Sequence, residues 1–338
     1  AIGTAILAMI IHLDGSGAVT FLICIPALLP VYDAVGMSRT TLATIVALAA
    51  GTMNIVPWGG PTIRAATAME MNVMDLFSPV IIPLIFGLLT VLAFAFILGN
   101  KEKKRLGEIK ASGVTIGEQE LTAEQESLLR PEKFGINIAL ILLAVVGLIL
   151  GGKYGVKPEV VFMISFVLAI VINYPDVKMQ KARVDAHAKS AILMASVLFA
   201  AGAFTGIMKG SGMITAMSQS LVAIIPESAA SFFAIITGII AMPASLLFDP
   251  DSFYFGVLPV LTSTAQGFGI DGVSIARAAI LGQMTTGFPV SPLTPATFLL
   301  IGLAGVDFGE HQRKTIPLAF TVTIVMLIVS VVIGAIAI

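Results

Sequence analysis

Residues 54–67 read Asn54-Ile-Val-Pro-Trp-Gly-Gly-Pro-Thr-Ile-Arg-Ala-Ala-Thr67, between the apolar segments 39–55 and 63–74. Proline removes a backbone donor and blocks the preceding turn, and glycine lowers helix stability. A helix carrying Pro57, Gly59, Gly60 and Pro61 therefore breaks and frees backbone groups. Lipid cannot satisfy them, so at membrane depth such a break survives only inside protein or beside a water-filled cavity. The apolar segments 272–286 and 296–305 flank a second break of this kind, Gly287-Phe-Pro-Val-Ser-Pro-Leu-Thr-Pro295. Two further apolar pairs turn at acidic tips. Segments 1–11 and 18–33 flank His12-Leu-Asp14-Gly-Ser-Gly17, and segments 228–248 and 253–268 flank Asp249-Pro-Asp251-Ser252. The tipped pairs read as re-entrant hairpins, and the other two as broken spanning helices.

Composition supports a membrane setting. Hydrophobic residues are 57% of the chain and charged residues 12%, against about a quarter charged in soluble domains. Mean hydropathy is +1.01. Residues 77–99, 134–152, 158–174, 190–208 and 315–338 are apolar runs that approach or exceed the roughly 20 residues needed to span a bilayer. The expected fold is thus an all-α polytopic membrane protein. A net charge of −1 argues against a nucleic-acid partner, and the single Cys24 excludes a disulfide within the chain and any cysteine-based zinc site.

Charged loops set the expected topology. Lys101, Lys103, Lys104, Arg105, Lys110, Arg130 and Lys133 crowd residues 100–133, and Lys178, Lys181, Arg183 and Lys189 crowd residues 175–189. Two spans separate these loops, so they share a side, which the positive-inside rule makes cytoplasmic. An offset of 232 residues relates Leu29 to Leu261, Ala47 to Ala279, Pro57 to Pro289, Thr62 to Thr294 and Asp75 to Asp307. The order of events repeats as well: hairpin with acidic tip, helix, Pro/Gly/Thr break, helix, Asp-containing loop, long span. The topology inverts the two halves, and paired interrupted segments in inverted halves mark a transporter site near the midplane. The domain reading is a first half at 1–99, a cytoplasmic loop at 100–133, scaffold-type spans at 134–225, and the second hairpin, broken helix and last span at 226–338. Three spans precede the second hairpin and none the first, and the chain opens at Ala1 inside an apolar helix. The first half is therefore expected to lack an N-terminal portion.

Ionisable residues inside apolar segments are costly and mostly functional. Here they are His12, Asp14, Arg64, Asp249, Asp251 and Arg277. Asp14, Asp249 and Asp251 with neighbouring hydroxyls would form an oxygen-rich cation site or carry a proton. The plainer reading has Asp14 and Asp249 cap the helix that follows each tip, worth about 1 kcal/mol. His12 reads as a proton carrier, a ligand or a satisfied interior histidine. Arg64 follows a break, where a half-helix N-terminus and a guanidinium favour an anion, or it pairs with an acid. Arg277 is expected to snorkel to the surface, and Lys209 to anchor at the interface. The candidate substrate-binding set is Ser16, Gly17, Asn54, Gly59, Gly60, Thr62, Arg64, Ser252, Ser291 and Thr294. The set for metal or proton coupling is His12, Asp14, Asp249, Asp251 and Thr286.

Four motifs carry a family resemblance: His12-Leu-Asp-Gly-Ser-Gly17, Asn54–Thr67, Leu247-Phe-Asp-Pro-Asp-Ser-Phe-Tyr-Phe-Gly256 and Ser291-Pro-Leu-Thr-Pro-Ala-Thr297. They resemble the citrate–metal:proton symporters, the CitMHS family of the ion transporter superfamily, and the likeness extends over essentially the whole chain. It implies proton-coupled uptake of citrate complexed with a divalent cation of the Mg2+ or Ca2+ type, with no cofactor of the protein's own. It also implies a multi-pass protein of the cell membrane, a homodimer, and an elevator-type motion. Sodium-coupled dicarboxylate members carry Ser-Asn-Thr at their hairpin tips. This chain carries Asp14-Gly-Ser-Gly17 and Asp249-Pro-Asp-Ser252 instead, which favours metal or proton coupling over sodium. The runner-up is a sodium- or proton-coupled transporter of another di- or tricarboxylate or anion. More remote readings are a passive channel and an intramembrane aspartyl protease.

Overall fold

The computed structural model describes residues 1–107, 130–154 and 156–337. Most of the expected loop 100–133, including Lys110, lies outside the described residues. Among the described residues all regular structure is helical. Those of Ala1–Ile116 and Ala201–Ile338 form one compact unit, and those of Gly117–Ala200 another.

In the first unit, α1 (Ile2–Ile11) leads through a 3-10 turn, His12–Asp14, to α2 (Gly17–Val35). Then follow α3 (Arg39–Met53), α4 (Gly60–Ala68), α5 (Val73–Phe77) and α6 (Ile81–Leu106). The second unit holds α7 (Phe134–Lys153), α8 (Pro158–Asn173) and the start of α9 (Val177–Gly210). The first unit resumes with α10 (Met213–Ile224), α11 (Glu227–Ala230) and α12 (Phe233–Ala244). After the second acidic tip come a π-helical turn, Ser252–Val257, and α13 (Leu258–Gly267). The chain finishes with α14 (Gly272–Ile280), α15 (Pro295–Ala304) and α16 (Phe308–Val332).

Helix α3 is the centre of the first unit: every residue from Thr40 to Met53 is buried. It packs against α1, α2, α6, α15 and α16. Its small residues let other backbones come close, the packing mode of helices in membranes. At Gly51 an added Cβ would lie 3.0 Å from the Thr285 carbonyl oxygen. At the start of α3, the buried Glu102 accepts from Thr41 Oγ1 at 2.6 Å and pairs with Arg105 at 2.7 Å, so a charge on α6 has partners. Helix α14 packs against α12, α13, α4 and α5.

Among the described residues, five helical stretches are long and apolar enough to cross a membrane: Gly17–Val35, Val73–Leu106, Pro131–Leu148, Val177–Gly210 and Phe308–Val332. Together with the exposed apolar side chains of α7 and α8, such as Phe134 and Phe166, they describe a multi-pass membrane protein.

Several boundaries differ from the sequence reading. The expected span 158–174 is a 16-residue helix. The expected second hairpin arm 18–33 is 19 residues long, enough to cross a membrane alone. Segment 63–74 is not one helix: α4 stops at Ala68, Glu70 takes a positive φ of 53°, and Asn72 caps α5 by accepting from Met74 N. Segment 228–248 divides into α11 and α12. Segment 272–286 stops at Ile280, where the backbone of the α12 end comes in. A Cβ at Gly282 would overlap Met242 N, and one at Gly287 would overlap Ser245 Oγ.

Candidate functional site

The first tip is seated on both breaks. Gly15, at φ 78°, turns the chain beneath Trp58, whose Nε1–H donates to Leu13 O at 2.7 Å. Asp14 Oδ1 accepts from Ser16 N at 2.8 Å, and Ser16 Oγ accepts from Val19 N at 3.3 Å. Ser16, not Asp14, therefore caps α2, and Asp14 shapes the turn before it. His12 is fully buried, with Nδ1 2.8 Å from Thr20 Oγ1 and Nε2 3.3 Å from Asn54 Oδ1. Its ring stacks on Phe288 of the second break, 6.1 Å between centroids. Gly17 makes that approach possible, since a Cβ there would lie 2.6 Å from the Phe288 ring.

Asn54 joins the breaks to each other. Its Nδ2 donates to Met284 O at 2.7 Å, which turns Oδ1 toward His12. An amide oxygen only accepts, so His12 Nε2 carries the hydrogen.

The second tip is seated in the second break. Ser245 Oγ donates to Gln283 Oε1 at 2.7 Å and accepts from Met284 N at 2.9 Å, while Ser245 O accepts from Ser291 Oγ at 2.5 Å. Tyr254 Oη donates to Gln283 O at 2.7 Å. Asp249 closes the tip by accepting from Asp251 N, Ser252 N and Ser252 Oγ, at 2.9, 3.1 and 2.5 Å. Capping, the plainer reading of Asp249, is thus present. Asp251 points the other way: its Oδ1 accepts from Arg64 Nε at 2.6 Å, across 187 residues of sequence. The Arg64 side chain is 13% exposed and that of Asp251 44%.

Each half-helix after a break starts without a side-chain cap. The N-cap of α4 is Gly59, packed so tightly that a Cβ would overlap the Asn54 carbonyl oxygen. Gly60 stands beside Arg64 Nη1. The N-cap of α15 is Thr294, whose hydroxyl donates to Phe288 O instead.

A sequence profile of the citrate transporter family matches residues 1–282. This chain belongs to the citrate transporter family. It is 42% identical over 337 residues to the citrate transporter of Bacillus subtilis (strain 168), covering all of this chain and 77% of that protein. It is 38% identical over 337 residues, with the same coverage, to the Mg(2+)/citrate complex secondary transporter of that organism. It is 37% identical over 345 residues, covering 78% of the relative, to the uncharacterized transporter YraO. The family resemblance read from the four motifs is upheld, and the chain is a transporter rather than an enzyme.

Within this citrate transporter family member, several candidate hydroxyls already have protein partners. Thr62 donates to Ile55 O at 2.7 Å and Thr286 lies 2.6 Å from Thr323 Oγ1, while Thr297, outside the candidate sets, donates to Phe288 O at 2.7 Å. From α16, His311 Nε2–H donates to Pro289 O and Gln312 Nε2 to Val290 O, both at 2.8 Å. Carbonyls left open at the breaks are thus met by side chains, as buried polar groups require. The expected cage of Asp14, Asp249 and Asp251 does not assemble: among the described residues no three His, Cys, Asp or Glu side chains gather to hold a metal. Asp249 is spent on its own turn and Asp251 on Arg64. Arg277 donates to Ala335 O and Asp75 O at 3.1 and 2.9 Å. Lys209 pairs with Glu70 at 2.9 Å.

Sequence reasoning passed over Ser245, Tyr254, Gln283 and Phe288. One signal was available for Gln283: a lone amide in an apolar run is expensive unless partnered, and this one is fully buried. Nothing in the sequence marks Ser245 or Phe288.

Proposed function

We propose that this citrate transporter family member is a secondary active transporter for citrate complexed with a divalent cation, Mg2+ or Ca2+ in type, driven by protons. One observation carries the reading. Two acidic tips and two broken helices meet in a single cluster, joined by Trp58–Leu13, Asn54–Met284, Ser245–Gln283 and Arg64–Asp251. Freed backbone and charged side chains at membrane depth belong to binding sites.

Charge decides the form of the substrate. Citrate is multiply anionic at neutral pH, and burying that charge uncompensated is expensive. The cluster offers Arg64 as its cation, already held by Asp251, beside Asp14 and Asp249. A bare polyanion meets net repulsion there; a complex with a divalent ion meets far less. The relative named as a Mg(2+)/citrate complex transporter supports the same reading. With no three-acid cage among the described residues, the citrate supplies most of the metal's oxygens.

In this proposal Arg64 and the uncapped start of α4, with Gly59, Gly60, Thr62 and Asn54, hold citrate carboxylates. Ser16, Gly17, Ser252, Ser291 and Thr294 complete the lining. Asp14, Asp249 and Asp251 compete for metal or proton, with Thr286 behind them. His12 is a proton carrier through Nδ1: Nε2 is committed to Asn54, and Thr20 can turn its hydroxyl to Ser16 O, 2.9 Å away, when Nδ1 takes a proton. The tips act as re-entrant hairpins of two inverted repeats, residues 1–99 and 134–338. Segment 134–225 acts as scaffold, and the hairpin-bearing part moves as an elevator. The protein sits in the cell membrane as a homodimer, with residues 100–133 and 175–189 cytoplasmic, most of the latter forming the first turns of α9 rather than a loop. Citrate uptake by the full-length protein in proteoliposomes tests this, with the metal varied and the proton gradient collapsed. Uptake indifferent to both would overturn the proposal.

A further inference from the structure

The second unit carries an open cavity of about 720 Å3 that the transport reading leaves without a role. It lies where the start of α7, the end of α8 and the start of α9 meet. Its lining is graded. Arg130 precedes α7, Tyr174 ends α8, and Arg183 and His187 lie about two and three turns into α9, while Phe166, Ala169 and Ile170 lie back along α8. From Phe166 to Tyr174 is eight residues of helix, about 12 Å of depth.

The polar end is built. Arg130 lies over the Tyr174 ring, 5.2 Å from its centroid, and its Nε donates to Asn173 O at 3.2 Å. Just beneath, Asn137 and Asn173 exchange two amide hydrogen bonds of 2.9 and 2.7 Å that clamp α7 to α8. Arg183 and His187, one turn apart on α9, face the same space. In the neighbouring sequence, the described residues add Lys133, Lys178, Lys181 and Lys189 against Glu132, Asp176 and Asp185. The walls below are apolar, and Phe166 is 56% exposed.

A small inorganic anion has no use for the apolar walls, and a neutral apolar ligand none for two arginines and a histidine. An amphiphile with an anionic head uses both, and basic pockets between spanning helices suit such lipids. We infer that this cavity binds one anionic phospholipid, its phosphodiester at Arg183 and His187 and one acyl chain laid along Phe166 and Ile170. Arginine forks match phosphate oxygens in pairs, and the depth accommodates the upper part of a chain. The inference does not depend on what the first unit carries.

Native mass spectrometry of the delipidated full-length protein tests it, with phosphatidylglycerol and phosphatidylcholine of identical chains. Phosphatidylglycerol should be retained at least about tenfold better, a difference of roughly 1.4 kcal/mol. Arg183→Gln with His187→Gln should abolish that preference. Ala169→Trp, which fills the apolar end and keeps every charge, should lower retention of both lipids, and it carries the test if the double variant does not fold. Equal retention of the two lipids overturns the inference. So does phosphatidylglycerol binding indifferent to both variants, displacement by millimolar inorganic phosphate alone, or a change of oligomeric state in place of lipid binding.

Discussion

Arg64 and Asp251 allow a test in which the sign of the effect separates two roles. A purely structural pair and a substrate-binding arginine look alike in one structure, because both place Arg64 Nε 2.6 Å from Asp251 Oδ1. They part on mutation. Arg64→Lys keeps the charge and loses the planar fork. If a citrate carboxylate takes two donors from Arg64, at least one charge-assisted hydrogen bond is lost, about 1.5–3 kcal/mol. Citrate affinity then falls roughly ten- to hundredfold, and Arg64→Ala falls further. Asp251→Asn should act in the opposite direction. It removes the group competing for Arg64, and with Asp251 44% exposed the released interaction is only about 0.2–1 kcal/mol. Citrate should therefore bind the same or a few-fold tighter. Calorimetric titration with Mg2+–citrate on purified variants measures both, with abundance and melting temperature as controls. Unchanged affinity in Arg64→Ala at normal abundance removes Arg64 from the site. Equal weakening in Arg64→Ala, Asp251→Asn and the double variant reduces the pair to a structural tie.

Three more perturbations bear on the same cluster. Removing all divalent metal with a chelator should stop citrate uptake, and persistence at full rate would refute transport of the complex. Gly59→Ala should lower thermal stability by more than the few tenths of a kcal/mol usual for a surface change, because its Cβ has no room beside the Asn54 carbonyl oxygen; an unshifted melting curve would refute that packing. Asn54→Leu should cost about 1–3 kcal/mol by stranding Met284 O, with the loss read in chemical unfolding; a loss below about 0.5 kcal/mol would show that the carbonyl finds another partner.

The fold class was legible because a bilayer imposes length and composition, and the breaks were legible because proline and glycine punctuate helices locally. The tips His12–Ser16 and Asp249–Ser252 fall where the acidic Gly/Pro motifs placed them. What the sequence withheld is pairing at a distance. Nothing in helical periodicity links Arg64 to Asp251 or Ser245 to Gln283, since those contacts arise only once α4 and the tip after α12 dock onto their neighbours. Helix ends misled where a non-glycine took an unusual backbone: Glu70 gives no signal that α4 stops two residues before it. The hydroxyl-rich breaks read as ligand sets, yet Thr62 and Thr294 donate to carbonyls that the breaks expose. A broken helix consumes polar side chains before any are left for a ligand.

The bond from Asn54 to Met284 O fixes which displacements the cluster tolerates. Drawing the two breaks apart strands a buried carbonyl and takes the amide from His12, an activation term of about 1–3 kcal/mol before any packing is lost. Carrying both breaks together leaves these bonds intact. Along the reaction coordinate of a transport cycle, the soft direction is therefore a common translation of α3, α4, α14 and α15, and the stiff one is their separation. A fluorophore pair placed across the two breaks would hold a constant separation while either partner changed its distance to a fixed reference.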